Sequence, residues 1–157
     1  MEGMKAMKDQ AVLVAAAQKL KQHNIKATPQ RQGILAYLMS SSEHPSINMI
    51  HQYLLKEDYK VSLATVYNTL ELLSAAELVT EVTIDSAGHV RYDYFEEPHY
   101  HMICLNCGRI DDIYDDCYLK LEELAAKESG YQVISSYYDV HGICPNCQQK
   151  QQNQQKD

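Results

Sequence analysis

Two C-x-x-C pairs constrain the fold of this chain more than any other feature. They are Cys104-Leu-Asn-Cys107 and Cys144-Pro-Asn-Cys147, with residues 108–143 between them. Paired cysteines in a reducing compartment hold a metal more often than they form disulfides, and four thiolates satisfy a tetrahedral zinc ion. An iron–sulfur cluster or a redox-active pair is the alternative, although a thioredoxin-like βαβ setting is missing. The spacing predicts one structural zinc ion per chain, on which a small C-terminal module depends for folding.

Length and composition indicate a globular protein with one large domain or two small ones. The chain has 157 residues, of which 45% are hydrophobic and 22% charged. No apolar run approaches the roughly 20 residues that a membrane-spanning helix requires. Basic residues precede the apolar run 11–17 as in a secretory signal, but the helical pattern continues through Lys19 and Leu20. We therefore expect an amphipathic first helix and a cytoplasmic protein without a membrane partner.

The negative charge is concentrated in the C-terminal half. Residues 1–80 carry 8 Lys and Arg against 7 acidic residues, whereas residues 81–157 carry 6 against 14. The net charge of −7 would by itself argue against a partner as negative as DNA. Its uneven distribution instead predicts two modules with different tasks, and the nearly neutral N-terminal module can still bind DNA.

The N-terminal half shows a succession of helix start signals. A first helix is predicted over 9–24, and Thr28-Pro29 supplies an N-cap with proline at the first helical position. Ser46 can cap a third helix and Ser62 a fourth, which the apolar spacing extends over 63–75. Short helices joined by tight turns are typical of a helix-turn-helix.

A β-hairpin is predicted directly after these helices. The strand-like runs 78–84 and 90–95 flank the loop 85–89, which contains Gly88. Helices followed by a hairpin form the winged-helix layout, in which the exposed face of the fourth helix enters the major groove. A helical domain without a role in DNA binding stays open as the alternative. The predicted DNA contacts are Arg31, Ala64, Thr65, Tyr67 and Asn68.

Histidines and aspartates indicate a second metal site. His99 and His101 are two residues apart, so on a strand both rings point to the same face. Together with His44, Asp93 and Asp112 they form a mixed nitrogen and oxygen set that suits Mn(II), Fe(II) or Zn(II). A zinc hydrolase would also need a nucleophile or general base, which the sequence does not offer. We expect a protein that is not an enzyme, with a metal carrier as a further alternative.

Five sequence blocks follow one another in a recognisable order. They are Ala27-Thr-Pro-Gln-Arg31, His44-Pro-Ser46, Ser62-Leu-Ala-Thr-Val-Tyr-Asn-Thr-Leu70, His99-x-His101-x-x-Cys104-x-x-Cys107-Gly108 and Cys144-x-x-Cys147. Taken together, these blocks resemble the ferric uptake regulator family. The resemblance covers about residues 9 to 147 and implies an α+β fold. The expected N-terminal winged helix-turn-helix domain spans 1–95, with a hinge at about 93–98. A C-terminal α/β dimerisation and metal-sensing domain with the four-cysteine zinc site spans 99–147.

The last part of the chain allows simpler predictions. Residues 115–129 show the spacing of an amphipathic helix, and residues 131–141 that of a strand. Residues 148–157 contain six Gln and no apolar residue. This composition predicts a disordered tail.

Residues 93 and 112 are aspartates, whereas the iron-uptake branch of the family usually has glutamate at these positions. In this respect the sequence resembles the peroxide-responsive branch. By this resemblance one regulatory Fe(II) or Mn(II) ion per chain is held by His44, Asp93, His99, His101 and Asp112. Hydrogen peroxide would oxidise His44 or His99. A homodimeric repressor would then release its pseudo-palindromic double-stranded operator DNA. The alternative is a repressor of the same family that senses iron or manganese sufficiency and is insensitive to peroxide.

Overall fold

The computed structural model describes residues 2–83 and 88–154 of the chain, with side chains from residue 10 to residue 153. Within this part there are six helices and five strands. They divide into two compact units, one formed by residues 2–83 with 90–95 and the other mainly by residues 96–154. None of the helices in this part is long and apolar enough to cross a membrane.

The first unit begins with four helices, and the caps predicted for the last three of them are confirmed. Thr28 Oγ1 accepts from the backbone N–H of Arg31, at 3.4 Å, and Ser46 Oγ accepts from that of Met49, at 3.3 Å. Ser62 Oγ accepts a hydrogen bond in the same way, at 3.1 Å. Each cap satisfies a backbone donor that the helix itself leaves without a partner. The helices are α1 (Glu2–Gln22), α2 (Pro29–Ser40), α3 (Ile47–Lys56) and α4 (Leu63–Ala75).

The core of the first unit fills the space between these helices. A side chain at Gly33 would clash here, because its Cβ would lie 2.9 Å from Leu54 Cδ2 and from the Tyr59 ring. Glycine therefore permits the close approach of α2 to α3. The fully buried large residues of this core are Leu20, Ile34, Leu35, Ile50, Leu54, Val66, Leu70, Leu73, Val79 and Val82.

The predicted hairpin is also present. Strands β1 (Val79–Thr83) and β2 (Val90–Tyr94) pair antiparallel along their whole length. Most of the predicted loop 85–89, together with residue 84, lies outside the described residues. The backbone N–H of Tyr92 donates to the carbonyl of Pro45, at 3.0 Å, which ties β2 to the segment before α3. Helices followed by this hairpin give the winged-helix layout that the sequence predicts.

The second unit is built on a three-stranded sheet. Strands β3 (Tyr100–Cys104) and β4 (Ile110–Ile113) are antiparallel, and β5 (Asp139–Gly142) pairs parallel to β3, so the order is β4-β3-β5. Helix α5 (Cys117–Ser129) lies between β4 and β5 in the sequence, and α6 (Pro145–Gln154) follows β5.

Two predictions for the second unit are wrong in extent. The strand predicted over 131–141 forms only at Asp139–Gly142, because only these residues find ladder partners on the five-residue strand β3. The disordered tail expected from residue 148 is replaced up to Gln154 by α6. Glutamine is a favourable helix former, so α6 continues although residues 148–153 are exposed. Residues 155–157 lie outside the described residues.

Candidate metal centres

The structure brings the four predicted zinc-ligating cysteines together. Cys104 and Cys107 flank the turn that ends β3, while Cys144 and Cys147 lie at the start of α6. Their Sγ atoms all lie within 4.8 Å of one another, and the Cys107 and Cys144 sulfurs are 3.8 Å apart. Zinc–sulfur bonds of about 2.3 Å in a tetrahedron require sulfurs about 3.8 Å apart, whereas a disulfide requires about 2.05 Å. The donors therefore fit a zinc ion.

The electrostatics of this cluster also favour a cation. The backbone N–H of Cys144 donates to Cys104 Sγ at 3.3 Å, and this bond, with others from Cys107 and Asn106, lowers the pKa of Cys104 to about 6. The strongest single influence on Cys107 is a backbone hydrogen bond at Arg109, which lowers its pKa. The surrounding thiols together outweigh this bond and raise that pKa to about 11. Four thiolates at this spacing thus need a bound cation to coexist.

Cys117 lies outside the four-cysteine cluster and is a poor nucleophile. It is exposed at the start of α5. The Asp115 side chain hydrogen-bonds to it, which with some burial and the charges of Asp115 and Asp116 raises the pKa of its thiol. Because the thiolate is the reactive form, Cys117 is expected to react slowly.

A second cluster in the same unit joins two imidazoles to a carboxylate. His99 Nε2 and His101 Nε2 are 3.2 Å apart, and each lies 3.8 Å from Asp112 Oδ1. The register of the sheet explains this proximity, because β3 and β4 pair His101 directly with Asp112. Both imidazoles are buried, at 6% and 7% exposure.

The hydrogen-bond partners of the Nδ1 atoms determine which nitrogen of each ring carries the proton. His99 Nδ1 lies 2.8 Å from the carbonyl oxygen of Glu97, and His101 Nδ1 lies 3.2 Å from Asp139 Oδ1. A carbonyl or carboxylate oxygen only accepts, so each Nδ1 donates, and in the neutral imidazole each Nε2 then carries a lone pair. Two lone pairs and a carboxylate that converge in a buried space repel one another unless a cation binds between them. This arrangement fits a divalent metal ion.

Asp139 is the residue of this cluster that the sequence did not reveal. It is 38 positions from His101, and no motif connects the two. The parallel pairing of β5 with β3 places them opposite each other. A carboxylate that accepts a hydrogen bond from the non-ligating nitrogen of a metal-binding histidine orients the ring and makes the ligating nitrogen more basic.

Replacing Asp139 with leucine is expected to weaken Mn(II) binding about 10- to 100-fold, because the His101 ring loses its orienting acceptor. Asp139→Asn is the matched control, since its amide oxygen can still accept from Nδ1–H. Isothermal titration of the zinc-replete variants with Mn(II) measures both affinities. Equal affinities of the leucine variant and the unaltered chain would contradict an orienting role.

The first unit contains an imidazole–carboxylate pair. His44 Nε2 lies 3.6 Å from Asp93 Oδ1, and the two residues are 3% and 9% exposed. His44 has a left-handed backbone, with φ of +48°. Histidine tolerates this region better than most residues, yet such a conformation costs on the order of 1–3 kcal/mol and is typical of functional sites. The predicted regulatory set is thus divided between the units, with His99, His101 and Asp112 in the second.

Helix α4 exposes the face that was predicted to contact DNA. Tyr67 is 54% exposed, while its neighbour Val66 is fully buried. Ala64, Asn68 and Glu71 share the exposed face, and Thr65 is half-buried. At the start of α2, an Nη atom of Arg31 donates to the carbonyl of Lys26, at 3.2 Å.

Sequence comparison places this chain among proteins whose names describe regulators. A sequence profile of the ferric uptake regulator family matches residues 22–149. The peroxide operon regulator of Bacillus subtilis (strain 168) is 37% identical over 139 residues, which cover 88% of this chain and 95% of the relative.

Two solved structures resemble the present fold. The Campylobacter jejuni peroxide stress regulator has a TM-score of 0.71 and 35% identity, covering 83% of this chain and 97% of the other. The Pseudomonas aeruginosa ferric uptake regulator with manganese has a TM-score of 0.71 and 26% identity, covering 83% and 98%. The relatives named here are regulators and not enzymes. Its sequence and its fold thus agree that the chain belongs to the ferric uptake regulator family.

Proposed function

We propose that the chain is a metal-dependent homodimeric repressor that releases operator DNA when hydrogen peroxide oxidises one of its metal-binding histidines. The observation that carries this proposal is the convergence of His99 Nε2 and His101 Nε2 on the carboxylate of Asp112. Such a site binds a cation reversibly and keeps oxidisable imidazoles next to it. The similarity to proteins named as peroxide regulators supports the same reading.

The ligand types favour different metals in the two centres. Zinc is proposed for the four thiolates, one ion per chain, because thiolate ligands in a tetrahedron suit it. Three imidazoles and two carboxylates suit Fe(II) or Mn(II), and the two negative charges neutralise a dication. The five proposed ligands are His44, Asp93, His99, His101 and Asp112. A ferrous ion held by these residues would activate hydrogen peroxide beside the imidazoles, with the oxidised ring as the net donor of two electrons, whereas Mn(II) would support the same DNA-binding form without that reaction.

Metal binding is proposed to control DNA binding because the ligands come from both units. His44 and Asp93 belong to the DNA-binding unit, and the other three belong to the second unit. An ion bound by all five would restrict how the units are arranged. The recognition helices of a dimer must fit major grooves about 34 Å apart. Shifting the chain from 1:99 to 99:1 in favour of that arrangement requires about 5.5 kcal/mol of differential binding.

Oxidation of a ligand imidazole would reverse this effect. We propose that His44 or His99 gains one oxygen atom at the ring carbon between the nitrogens, while the second oxygen of hydrogen peroxide leaves as water. The oxidised ring carries N–H groups in place of the lone pair at Nε2, so it is a poor ligand. The metal-dependent arrangement is then lost and the operator is released. This reaction is stoichiometric, because the repressor itself is consumed.

The proposed DNA contacts follow from the exposed face of α4 and from the start of α2. Asn68 can form two hydrogen bonds to an adenine, and Ala64 and Tyr67 can contact thymine methyl groups. Arg31 suits a phosphate contact that fixes the register of the protein on the duplex. A symmetric dimer would read a pseudo-palindromic operator in the cytoplasm.

The Asp112→Glu variant tests the proposal against its nearest alternative. We expect it to keep Mn(II)-dependent operator binding but to need about tenfold more peroxide for release of the iron form. This difference corresponds to about 1.4 kcal/mol in the barrier. The longer side chain keeps the carboxylate charge but moves it relative to the imidazoles. Operator mobility shifts measure release, and mass spectrometry detects the oxygen added to His44 or His99.

Asp111→Glu is the matched control for this experiment. Asp111 is the neighbouring carboxylate on β4, but it pairs with Arg109 instead of facing the imidazoles. This variant is expected to respond to peroxide like the unaltered chain. If the unaltered iron form stays bound to the operator after peroxide treatment and its histidines gain no oxygen, the protein senses iron or manganese sufficiency instead.

A further inference from the structure

We propose that Tyr114 is a second oxidation target of the regulatory site, a phenol that takes up oxygen from peroxide in competition with the ligand histidines. This inference rests on the proposed peroxide-sensing function. Tyr114 follows β4 directly and lies two residues beyond Asp112. Its ring packs against His99, with ring centroids 5.2 Å apart and planes inclined by 38°.

The exposure of the two rings differs strongly. Tyr114 is 64% exposed, whereas His99 is 6% exposed. The Tyr114 ring therefore lies between the buried His99 ring and solvent, within reach of an oxidant that is produced beside His99. A phenol is electron-rich and is oxidised at least as readily as an imidazole, so proximity alone makes it a competitor.

The proposed product is a tyrosine hydroxylated next to its phenolic oxygen. A ring C–H bond is replaced by C–OH, and hydrogen peroxide provides the inserted oxygen and leaves the other as water. The ring loses two electrons and peroxide gains two, so the overall reaction is balanced. The conversion is chemically the same oxygen insertion that is proposed for the histidines, directed to a side chain that is not among the proposed ligands.

Two other tyrosines of this unit, Tyr100 and Tyr118, are placed differently. Tyr100 lies between His99 and His101 in sequence, but the two-residue period of β3 turns it to the opposite face of the sheet. There its ring packs edge-on against Tyr118, with centroids 6.5 Å apart. Tyr118 is 6% exposed and also packs against Tyr138, at 5.3 Å. An oxidant formed at the His99 site should therefore modify Tyr114 but not Tyr118.

This placement has a consequence for sensitivity. Each peroxide molecule that oxidises Tyr114 leaves the histidines intact, so the chain keeps its metal and its operator. Tyr114 would thus raise the peroxide exposure that is needed to inactivate the repressor. Its removal should direct more of the oxidation to His99.

Peptide mapping of the full-length, iron-loaded protein tests this inference. Trypsin cleaves after Arg109 and Lys120, so residues 110–120 carry Tyr114 and Tyr118 away from the histidines in residues 92–109. After one equivalent of hydrogen peroxide, fragmentation should place one added oxygen on Tyr114 and none on Tyr118. The Mn(II)-loaded protein, treated in the same way, should show neither mark.

The possible outcomes separate the inference from the proposed function. Oxygen on His44 or His99 with unmodified Tyr114 would overturn the inference and leave the function intact. Equal modification of Tyr114 and Tyr118, or modification in the manganese form, would overturn it as undirected oxidation. Oxygen on neither the histidines nor Tyr114 would overturn the inference and the proposed function together.

A pair of variants measures the competition directly. Tyr114→Leu is expected to increase the fraction of oxidised His99 per equivalent of peroxide. Tyr131→Leu is the control, because it removes a similarly exposed tyrosine, at 78%, from the segment after α5. The same increase in both variants, or in neither, would contradict a specific role for Tyr114.

Discussion

Replacing Cys144 with serine is expected to release zinc and to unfold the second unit. A structural zinc site contributes an apparent ~10–16 kcal/mol, which equals or exceeds the ~5–15 kcal/mol stability of a typical domain. The second unit has little apolar core to compensate. Among its described residues, the buried hydrophobic side chains are Ile103, Tyr118 and two of the proposed zinc ligands, Cys104 and Cys147. Loss of the ion therefore removes the main stabilising interaction of this unit.

The zinc content of the purified variant and its thermal unfolding measure this effect. The unaltered chain is expected to carry one structural zinc ion, and Cys144→Ser to carry none and to lose the unfolding transition of the second unit. Cys117→Ser is the matched control, since this exposed thiol lies outside the cluster and should change neither quantity. A metal-free Cys144→Ser protein that keeps its full fold would show that zinc is not structural.

Replacing His44 with alanine is expected to abolish most of the gain in operator affinity that Mn(II) produces. If metal shifts the chain from 1:99 to 99:1, the binding-competent fraction and with it the operator affinity rise about 100-fold, and we expect the variant to keep no more than about a tenfold rise. The effect should be large because His44 is one of the two proposed ligands in the DNA-binding unit. Its burial and its left-handed backbone indicate that the fold maintains this ring at some energetic cost.

Operator mobility shifts with and without Mn(II) measure the coupling. Affinity without metal should be similar in the variant and the unaltered chain, because α4 and its exposed face are not altered. His23→Ala is the control, since this exposed histidine at the end of α1 is not a proposed ligand. If His44→Ala responds to Mn(II) like the unaltered chain, the ligand set must exclude His44.

Local chemistry accounts for the features that could be predicted from the chain alone. Thr28, Ser46 and Ser62 act as caps because each hydroxyl bonds to a backbone N–H three residues later. The apolar spacing of α4 likewise separates its buried and exposed faces, because the helical period depends only on residues that are close in the sequence. The C-x-x-C spacing likewise places two thiols at one turn, whatever the rest of the fold does.

Only the tertiary structure decided the surroundings of the histidines. The H-x-H spacing predicts two rings on one face of a strand, but the acceptors that hold a proton on each Nδ1, and so turn each Nε2 toward the site as a potential ligand, are Glu97 and Asp139. Asp139 is brought to His101 by a parallel strand pairing, and Tyr114 is brought to His99 by the strand that carries Asp112. The same pairing limits β5 to four residues where the sequence indicated eleven, since a strand persists only where a partner offers hydrogen bonds. The chain alone therefore identified the candidate metal-binding residues, whereas long-range pairing between strands decided how those residues are oriented and what surrounds them.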